Sequence, residues 1–140
     1  MSIYVVDASV ALKWFITEVH TADALRLRSS SFGLHVPTLF DVEMANIVWK
    51  KSQRGELSSK DSTAIVHSLS LLPVTRHDIL GLLDNALDLA IQTQQTVYDC
   101  LYLTLAIQIG GLMVTADQRF VHALQSTPFA THVLWVEDLP

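Results

Sequence analysis

Cysteine is nearly absent from this sequence, and so is any excess of positive charge. The single cysteine among 140 residues, Cys100, excludes an internal disulfide framework and a zinc site built from several cysteines. It fits a reducing compartment, so we expect a cytoplasmic protein. The 9 lysines and arginines are outnumbered by 14 aspartates and glutamates, and the net charge of −5 argues against nonspecific binding of nucleic acid through bulk charge.

Long apolar segments are also missing. The longest weakly polar stretch, residues 101–114, contains Thr104, Gln108 and two glycines, and it falls short of the ~20 apolar residues that span a membrane. The N-terminal apolar region carries Asp7 and Lys13 and does not resemble a signal peptide. We therefore expect a soluble protein with no membrane partner.

Strand-like and helix-like segments alternate along a chain in which half of the residues are hydrophobic. This composition and length predict one domain, residues 1–140, with a substantial core. Strands separated by helices indicate crossover connections, and so a parallel sheet covered on both faces in a three-layer α/β/α arrangement. The predicted strands are 3–6, 34–37, 71–75, 112–115 and 133–136, and the predicted helices are 10–15, 21–28, 39–54, 59–70, 78–90, 97–109 and 118–126.

Two capping boxes and a glycine set the limits of the middle helices. Thr38 with Asp41, and Ser58 with Asp61, have the spacing in which a hydroxyl and an acid cap a helix N-terminus. Gly55 is the expected end of the helix that Thr38 opens. In the same way, Ser9 is the expected cap of the helix over 10–15.

Two apolar runs end abruptly at an acid, Asp7 after "SIYVV" and Asp117 after "LMVTA". Ligands of open parallel sheets bind outside the carboxyl ends of the strands, so both acids are expected at that edge. Neighbouring carboxylates repel unless a cation lies between them, and Mg²⁺ or Mn²⁺ is the natural cation for oxygen ligands. The alternative is that each acid is only a turn residue or a helix cap.

Two more acids occupy apolar segments that are predicted to face the core. Glu43 lies in the first turns of the helix over 39–54, and Asp99 lies near the start of the helix over 97–109. A metal site would use both carboxylates. The alternatives are that Asp99 compensates the helix dipole and that Glu43 is on a solvated face, and spacing alone leaves these alternatives open.

Four motifs in the same order resemble the PIN-domain family, and within it the VapC-type toxins of toxin–antitoxin pairs. They are "VVDASVALKWF", "EMANIVW" after "PTLFDV", "TVYDCLYLTLA" and "LMVTADQRF", and together they span nearly the whole chain. The resemblance implies a PIN-like α/β/α fold and an endoribonuclease dependent on Mg²⁺ or Mn²⁺. It also implies an RNA substrate, a cognate antitoxin and a homodimer.

The resemblance assigns roles to individual positions. Thr115 matches a hydroxyl position often found near the metal, and Ser9 matches a polar position close to the first acid. Some family members have a further acid at the position that Arg119 occupies here, so a fifth carboxylate ligand is not expected. The residues that match the family's acidic quartet, as both catalytic residues and metal ligands, are Asp7, Glu43, Asp99 and Asp117.

Several other polar residues have two interpretations. Lys50, Lys51 and Arg54 form either a basic rim for an RNA backbone or a solvated helix end whose cations oppose the dipole. Asn46, three residues after Glu43, either supports the acids or packs near a polar cavity. The six histidines show no zinc-ligand spacing.

Aromatic residues in the apolar segments either stack on RNA bases or belong to the core or an interface. These residues are Trp14, Phe15, Trp49, Tyr98 and Tyr102. Alternatives to a toxin are an RNA-processing nuclease with the same site and a catalytically silent binding module. A phosphatase with a nucleophilic aspartate is disfavoured, because Ser9 stands where its second acid belongs.

Overall fold

A computed structural model describes residues 2–29 and 31–140 of the chain. Its centre is a sheet of five strands in the order β3-β2-β1-β4-β5, and every neighbouring pair is parallel. The strands are β1 (Ser2–Val6), β2 (Phe32–Pro37), β3 (Thr75–His77), β4 (Leu112–Thr115) and β5 (Val133–Trp135).

Seven α-helices connect or follow the described strands, and short 3-10 turns extend several of them. None of the described helices is long and apolar enough to cross a membrane. The helices are α1 (Ala8–Ala11), α2 (Thr21–Leu25), α3 (Leu39–Gln53), α4 (Ser59–Ser68), α5 (Leu83–Thr93), α6 (Val97–Ile109) and α7 (Gln118–Leu124).

The helices cover the sheet on both faces, as predicted for a three-layer fold. Right-handed crossovers put α1–α4 on one face, because the chain moves from β1 through β2 to β3, and α5–α7 on the other, because it then moves to β4 and β5. Helix α6 packs across β1, β2 and β4 and is almost fully buried along its middle. The central strands are correspondingly apolar, with Val5, Val6 and Val114 all fully buried.

The strand order reverses between β1 and β4, the point at which a doubly wound sheet opens a crevice at its carboxyl edge. Tyr4, Val5 and Val6 of β1 pair with Leu112, Met113 and Val114 of β4. The two strands therefore end level with each other, and the residues that follow them meet over the crevice.

Two predicted helix ends are confirmed. The amide of Asp61 donates to Ser58 Oγ at 3.0 Å, so Ser58 caps α4. Helix α3 ends at Gln53 with Arg54 as its C-cap, and Gly55 then adopts the left-handed conformation (φ 76°) that glycine takes most readily.

Three local predictions are wrong. The third strand covers Thr75–His77 instead of 71–75, because 69–71 continue α4 as a 3-10 turn and Pro73 has no amide proton for the sheet. Thr38 has helical backbone angles and forms no side-chain cap, and its amide donates to the carbonyl of His77 at 2.8 Å. The Asp41 carboxylate, the other half of the predicted capping box, is held by Arg76 of β3 at 2.7 and 3.0 Å. Ser9 lies inside α1 and does not cap it.

Candidate active site

The tips of β1 and β4 place Asp7 beside Thr115. The amide of Asp7 donates to the carbonyl of Val114 at 3.1 Å, which extends the pairing of the two strands by one residue. Thr115 Oγ1 then donates to Asp7 Oδ2 at 3.2 Å. Asp7 is only 8% exposed, so its carboxylate is held at the bottom of the crevice.

Two hydroxyl groups tie the strand tips together. Ser9 Oγ donates to Asp7 Oδ2 and accepts the amide proton of Ala116 at 3.1 Å. Thr115 Oγ1, which also donates to Asp7, accepts the amide proton of Asp117 at 3.0 Å. Ser9 and Thr115 therefore fix the carboxylate of Asp7 relative to the backbone that carries Asp117.

Asp117 occupies the cap position of α7 and is exposed. Its Oδ1 accepts the amide protons of Arg119 at 3.1 Å and Phe120 at 3.2 Å. The sequence offered a helix cap and a place in an acidic cluster as alternatives for this residue. The structure shows the cap, and it also brings the charge of Asp117 close enough to raise the pKa of Asp99.

Glu43 comes to the crevice from the second turn of α3. Tyr102 of α6 donates its phenolic proton to Glu43 Oε1 at 2.6 Å. Tyr102 is completely buried, and burial followed by the charge of Asp7 raises the pKa of its phenol, so the hydroxyl stays protonated and acts as a donor. This contact joins helices from opposite faces of the sheet beside the acids.

Asp99 comes from the first turn of α6, whose cap is Thr96. The Thr96 hydroxyl accepts the amide proton of Asp99 at 3.1 Å. Its carboxylate is partly buried, and burial together with the charges of Asp7 and Asp117 raises its pKa to about 6. A surface acid placed only to compensate the helix dipole would have its pKa lowered, because the dipole favours the charged form.

Burial and the charges of neighbouring acids raise the pKa values of Asp7, Glu43 and Asp99. Burial raises the pKa of Asp7 to about 6, and the charge of Glu43 raises it further. The hydrogen bonds from Ser9 and Thr115 act in the opposite direction. Burial also raises the pKa of Glu43, with a further contribution from Asp99, although the Tyr102 hydrogen bond opposes it. The structure therefore brings all four predicted acids into one electrostatic cluster.

The four acids have no neutralising ion pair in the part of the chain that the structure describes. Among residues 2–29 and 31–140, no lysine, arginine or histidine forms an ion pair with any of the four acids. In the same part of the chain, no three of these four acids have carboxylate oxygens that all lie within 4.8 Å of one another. The cluster is an open set of oxygen donors with excess negative charge, which matches the ligand chemistry of Mg²⁺ and Mn²⁺.

The remaining predicted residues divide into those that touch the acids and those that do not. The hydroxyls of Ser9 and Thr115 both donate to Asp7, whereas the side chain of Asn46 is exposed and forms no hydrogen bond with the described residues. The sequence left Tyr102 as either a base-stacking ring or a core or interface residue, and its hydrogen bond to Glu43 was not predicted. Its position three residues after Asp99, on the same helix face, was the available signal.

The basic cluster of α3 is partly occupied by ion pairs. Lys51 lies 3.7 Å from Glu18 and 3.5 Å from Glu56, so its charge is used within the fold. Lys50 and Arg54 are exposed at the helix end, where they also oppose the dipole. Arg119 is exposed two residues after Asp117, which makes it the cation nearest in sequence to an acid of the cluster.

A second group of potential ligands lies elsewhere and has a simpler explanation. Ligand atoms of His20, Asp23 and Glu137 lie within 4.8 Å of one another. Arg26 pairs with Asp23 and donates to the carbonyl of Leu139 at 3.0 Å, while His20 lies 3.1 Å from Glu137. These contacts fasten the C-terminal segment to α2, and the group shares no residue with the predicted acids.

A family model described as the PIN domain matches residues 4–123. Those residues include all four acids, the whole of β2, β3 and β4, and β1 from Tyr4 onwards.

Named relatives and solved structures agree with this match. Ribonuclease VapC3 of Pyrobaculum aerophilum is 32% identical over 117 residues, which are 82% of this chain and 89% of the relative. Ribonuclease VapC9 of Mycobacterium tuberculosis is 31% identical over 115 residues, covering 82% and 86%. The crystal structure of PAE2754 from Pyrobaculum aerophilum superposes with a TM-score of 0.68 at 25% identity, covering 97% of this chain and 85% of the other.

A more distant structure supports the fold alone. VapBC2 from Rickettsia felis, bound to a DNA fragment from its promoter, aligns with a TM-score of 0.63 at 14% identity. The alignment covers 95% of this chain and 98% of the other.

Proposed function

The chain belongs to the PIN-domain family together with the VapC ribonucleases, and on this basis we propose that it is a Mg²⁺- or Mn²⁺-dependent endoribonuclease and the toxin of a toxin–antitoxin pair. The observation that carries the metal requirement is the cluster itself. Asp7, Glu43 and Asp99 all have raised pKa values, and no cation of the described chain pairs with them. Such an arrangement is costly at neutral pH unless a divalent ion joins it.

The residues present fit such an ion. Mg²⁺ takes oxygen ligands, keeps several waters and usually binds through one or two carboxylates, so an open acidic cluster is sufficient. We assign Asp7, Glu43, Asp99 and Asp117 to the ion. A bound divalent cation supplies the Lewis acid for phosphodiester hydrolysis.

The surrounding side chains orient these ligands. Ser9 and Thr115 hold Oδ2 of Asp7 through their hydroxyl protons, and Tyr102 holds Oε1 of Glu43. Each donor also favours the charged form of its carboxylate, which is the form that binds a metal.

The test is cleavage of total cellular RNA, with new 5′ ends counted by sequencing. Excess EDTA should abolish the new ends and added Mn²⁺ should restore them at the same positions. Cleavage that continues unchanged in EDTA would overturn the metal mechanism, and absence of new ends in Mn²⁺ would contradict the nuclease assignment.

An antitoxin partner is supported by a groove between α3 and α4. Its volume is about 440 Å³, and it is lined by apolar and small polar side chains that include Val48, Trp49 and Val66. Trp49 is 56% exposed, although tryptophan is usually well covered. A groove of this kind suits the apolar face of an amphipathic helix. The small protein encoded by the neighbouring gene should bind the chain and suppress cleavage.

A homodimer is supported by an apolar stripe on α5. Leu83, Leu87 and Ile91 follow one another at intervals of four residues, and Leu87 and Ile91 are 51% and 69% exposed. Light scattering should give twice the chain mass, and Leu87→Glu should give the monomer. Leu71→Glu, at an exposed leucine outside the stripe, is the control and should remain a dimer. A monomeric wild type would remove this proposal.

A further inference from the structure

Tyr98 is an exposed aromatic residue on the helix that supplies Asp99. Its side chain is 61% exposed, whereas Tyr102, four residues later in α6, is completely buried and bonded to Glu43. Residues four apart lie on the same face of a helix. Tyr98 therefore lies on the same face of α6 as Tyr102, one turn closer to the N-terminus of the helix.

The N-terminal end of α6 lies at the acidic cluster. Asp99 directly follows Tyr98, and the charges of Asp7 and Asp117 both act on Asp99. Tyr102 reaches Glu43 from one turn further along α6, so helical spacing puts the exposed ring of Tyr98 one turn closer to the N-terminus of α6 than that contact. The position combines a flat apolar ring with acids assigned to phosphodiester chemistry.

The chain offers little positive charge for holding RNA at this place. The net charge is −5, and Lys13, Lys51 and Arg76 are already engaged by Glu18, Glu56 or Asp41. Arg119, two residues after Asp117, is then the exposed cation nearest in sequence to the cluster. Binding through phosphate contacts alone is therefore weak near the cluster. Stacking of a base on an aromatic ring needs no cation and contributes substantially for each base.

We propose that Tyr98 stacks on a base of single-stranded RNA next to the phosphodiester bond that is cleaved. This inference rests on the proposed ribonuclease function and adds to it a residue that positions the substrate. The proposed ligand of the exposed Tyr98 ring is RNA. A protein partner on the same ring is the competing outcome.

The first experiment measures cleavage of total cellular RNA in Mn²⁺ by the wild type and three variants. Tyr98→Leu keeps an apolar side chain but removes the ring, and the rate at low RNA concentration should fall by about tenfold, within the range for loss of one base–aromatic stack. The loss should appear in KM more than in kcat. Tyr98→Phe keeps the ring and should behave as wild type.

Trp49→Leu is the matched control, because Trp49 is also exposed but lies in the groove between α3 and α4. It should leave cleavage unchanged and weaken binding of the neighbouring gene product. Tyr98→Leu should do the reverse. Because Tyr98 is exposed, all variants should keep the wild-type melting temperature.

The second experiment uses a fragment of the RNA around the strongest cleavage site, with 5-iodouridine beside the scissile bond and Ca²⁺ replacing Mn²⁺. Ultraviolet light should crosslink this RNA to Tyr98, as identified by mass spectrometry. A wild type that produces no new RNA ends would contradict the proposed function itself. A wild type that cleaves while Tyr98→Leu cleaves equally well would overturn only this inference, and weakened partner binding by that variant would assign the ring to a protein.

Discussion

Replacing Asp99 with asparagine separates a place in the metal site from compensation of a helix dipole. The change is nearly isosteric and keeps the amide that the Thr96 hydroxyl caps. It removes one charge from a cluster in which Asp99 feels burial, Asp7 and Asp117. If that cluster is the site, Asp99→Asn should stabilise the metal-free protein at neutral pH and abolish cleavage.

The magnitude follows from the pKa of Asp99. A rise from 3.8 to about 6 corresponds to about 3 kcal/mol of lost unfolding free energy when the group is fully ionised, since one pKa unit is worth 1.36 kcal/mol. Asp99 is only partly buried, and solvent screening reduces the effect to about 1–2 kcal/mol. We therefore expect Asp99→Asn to be more stable than wild type by that amount at pH 8.

The sign depends on pH in a defined way. A carboxyl group whose pKa is raised in the folded protein favours folding below its unfolded pKa, and this contribution is lost as the pH rises through about 6. The asparagine variant has no such loss. The difference in unfolding free energy between Asp99→Asn and wild type should therefore vanish near pH 4 and reach its full size above pH 7. Because Asp99 and Asp7 are coupled, the midpoint of this change belongs to the pair of acids.

Asp61 provides a matched control. It stands three residues after the cap of α4, and its amide donates to Ser58 at 3.0 Å, as that of Asp99 does to Thr96 at 3.1 Å. Asp61 is exposed, and none of the four acids is near it in the sequence. Asp61→Asn should destabilise the protein by about 0.3–1 kcal/mol through the lost dipole interaction and leave cleavage intact.

Two measurements distinguish a metal-site role of Asp99 from dipole compensation. They are urea unfolding between pH 4 and pH 8 without metal, and cleavage in saturating Mn²⁺. Added Mn²⁺ should reverse the order of stability, because a ligand at 100 times its Kd stabilises the wild type by about 2.7 kcal/mol and the variant by less. An Asp99→Asn protein that is less stable at pH 8 and fully active would refute the assignment of Asp99 to the site.

Two further substitutions test the surroundings of the acids. Tyr102→Phe removes the donor to Glu43, and we expect it to lower the unfolding free energy by about 1–3 kcal/mol and to weaken Mn²⁺ binding measured by calorimetry. The control is Tyr4→Phe, at a buried tyrosine that packs on Phe32. Equal stability of Tyr102→Phe and wild type would show that the hydrogen bond is not formed in solution. Arg119→Gln should lower the slope of log K against log salt for single-stranded RNA by about 0.7, whereas Lys50→Gln should not, and an unchanged slope would remove Arg119 from the RNA-binding surface.

The parts of the site that the sequence predicts are those with a local cause. Apolar runs that end at Asp7 and Asp117 mark strand tips, because a buried parallel strand is apolar on both faces and stops where the chain meets solvent. Helix α6 has its predicted bounds of 97–109, because the apolar segment forms the helix and Gly110, in the left-handed conformation, ends it. These features depend on neighbours in the sequence.

The parts that the sequence did not predict depend on distant partners. Asp41 was expected to cap α3, but Arg76, 35 residues later, holds its carboxylate with two hydrogen bonds. Tyr102 and Glu43 are 59 residues apart, and their contact exists only after helices from both faces reach the carboxyl edge of the sheet. No period or cap spacing encodes such pairs.

One local pattern, an apolar strand followed by aspartate, produces two different environments. At the tip of β1 the acid is 8% exposed, and burial disfavours its charge and raises its pKa to about 6 although Ser9 and Thr115 donate hydrogen bonds to it. At the tip of β4 the acid is exposed and bonds two backbone amides at the start of α7. Asparagine caps a helix as well as aspartate does, so Asp117 would keep its structural role after losing its charge. Asp7 gains no comparable structural benefit from its charge, which makes the buried tip the stronger argument for a cation.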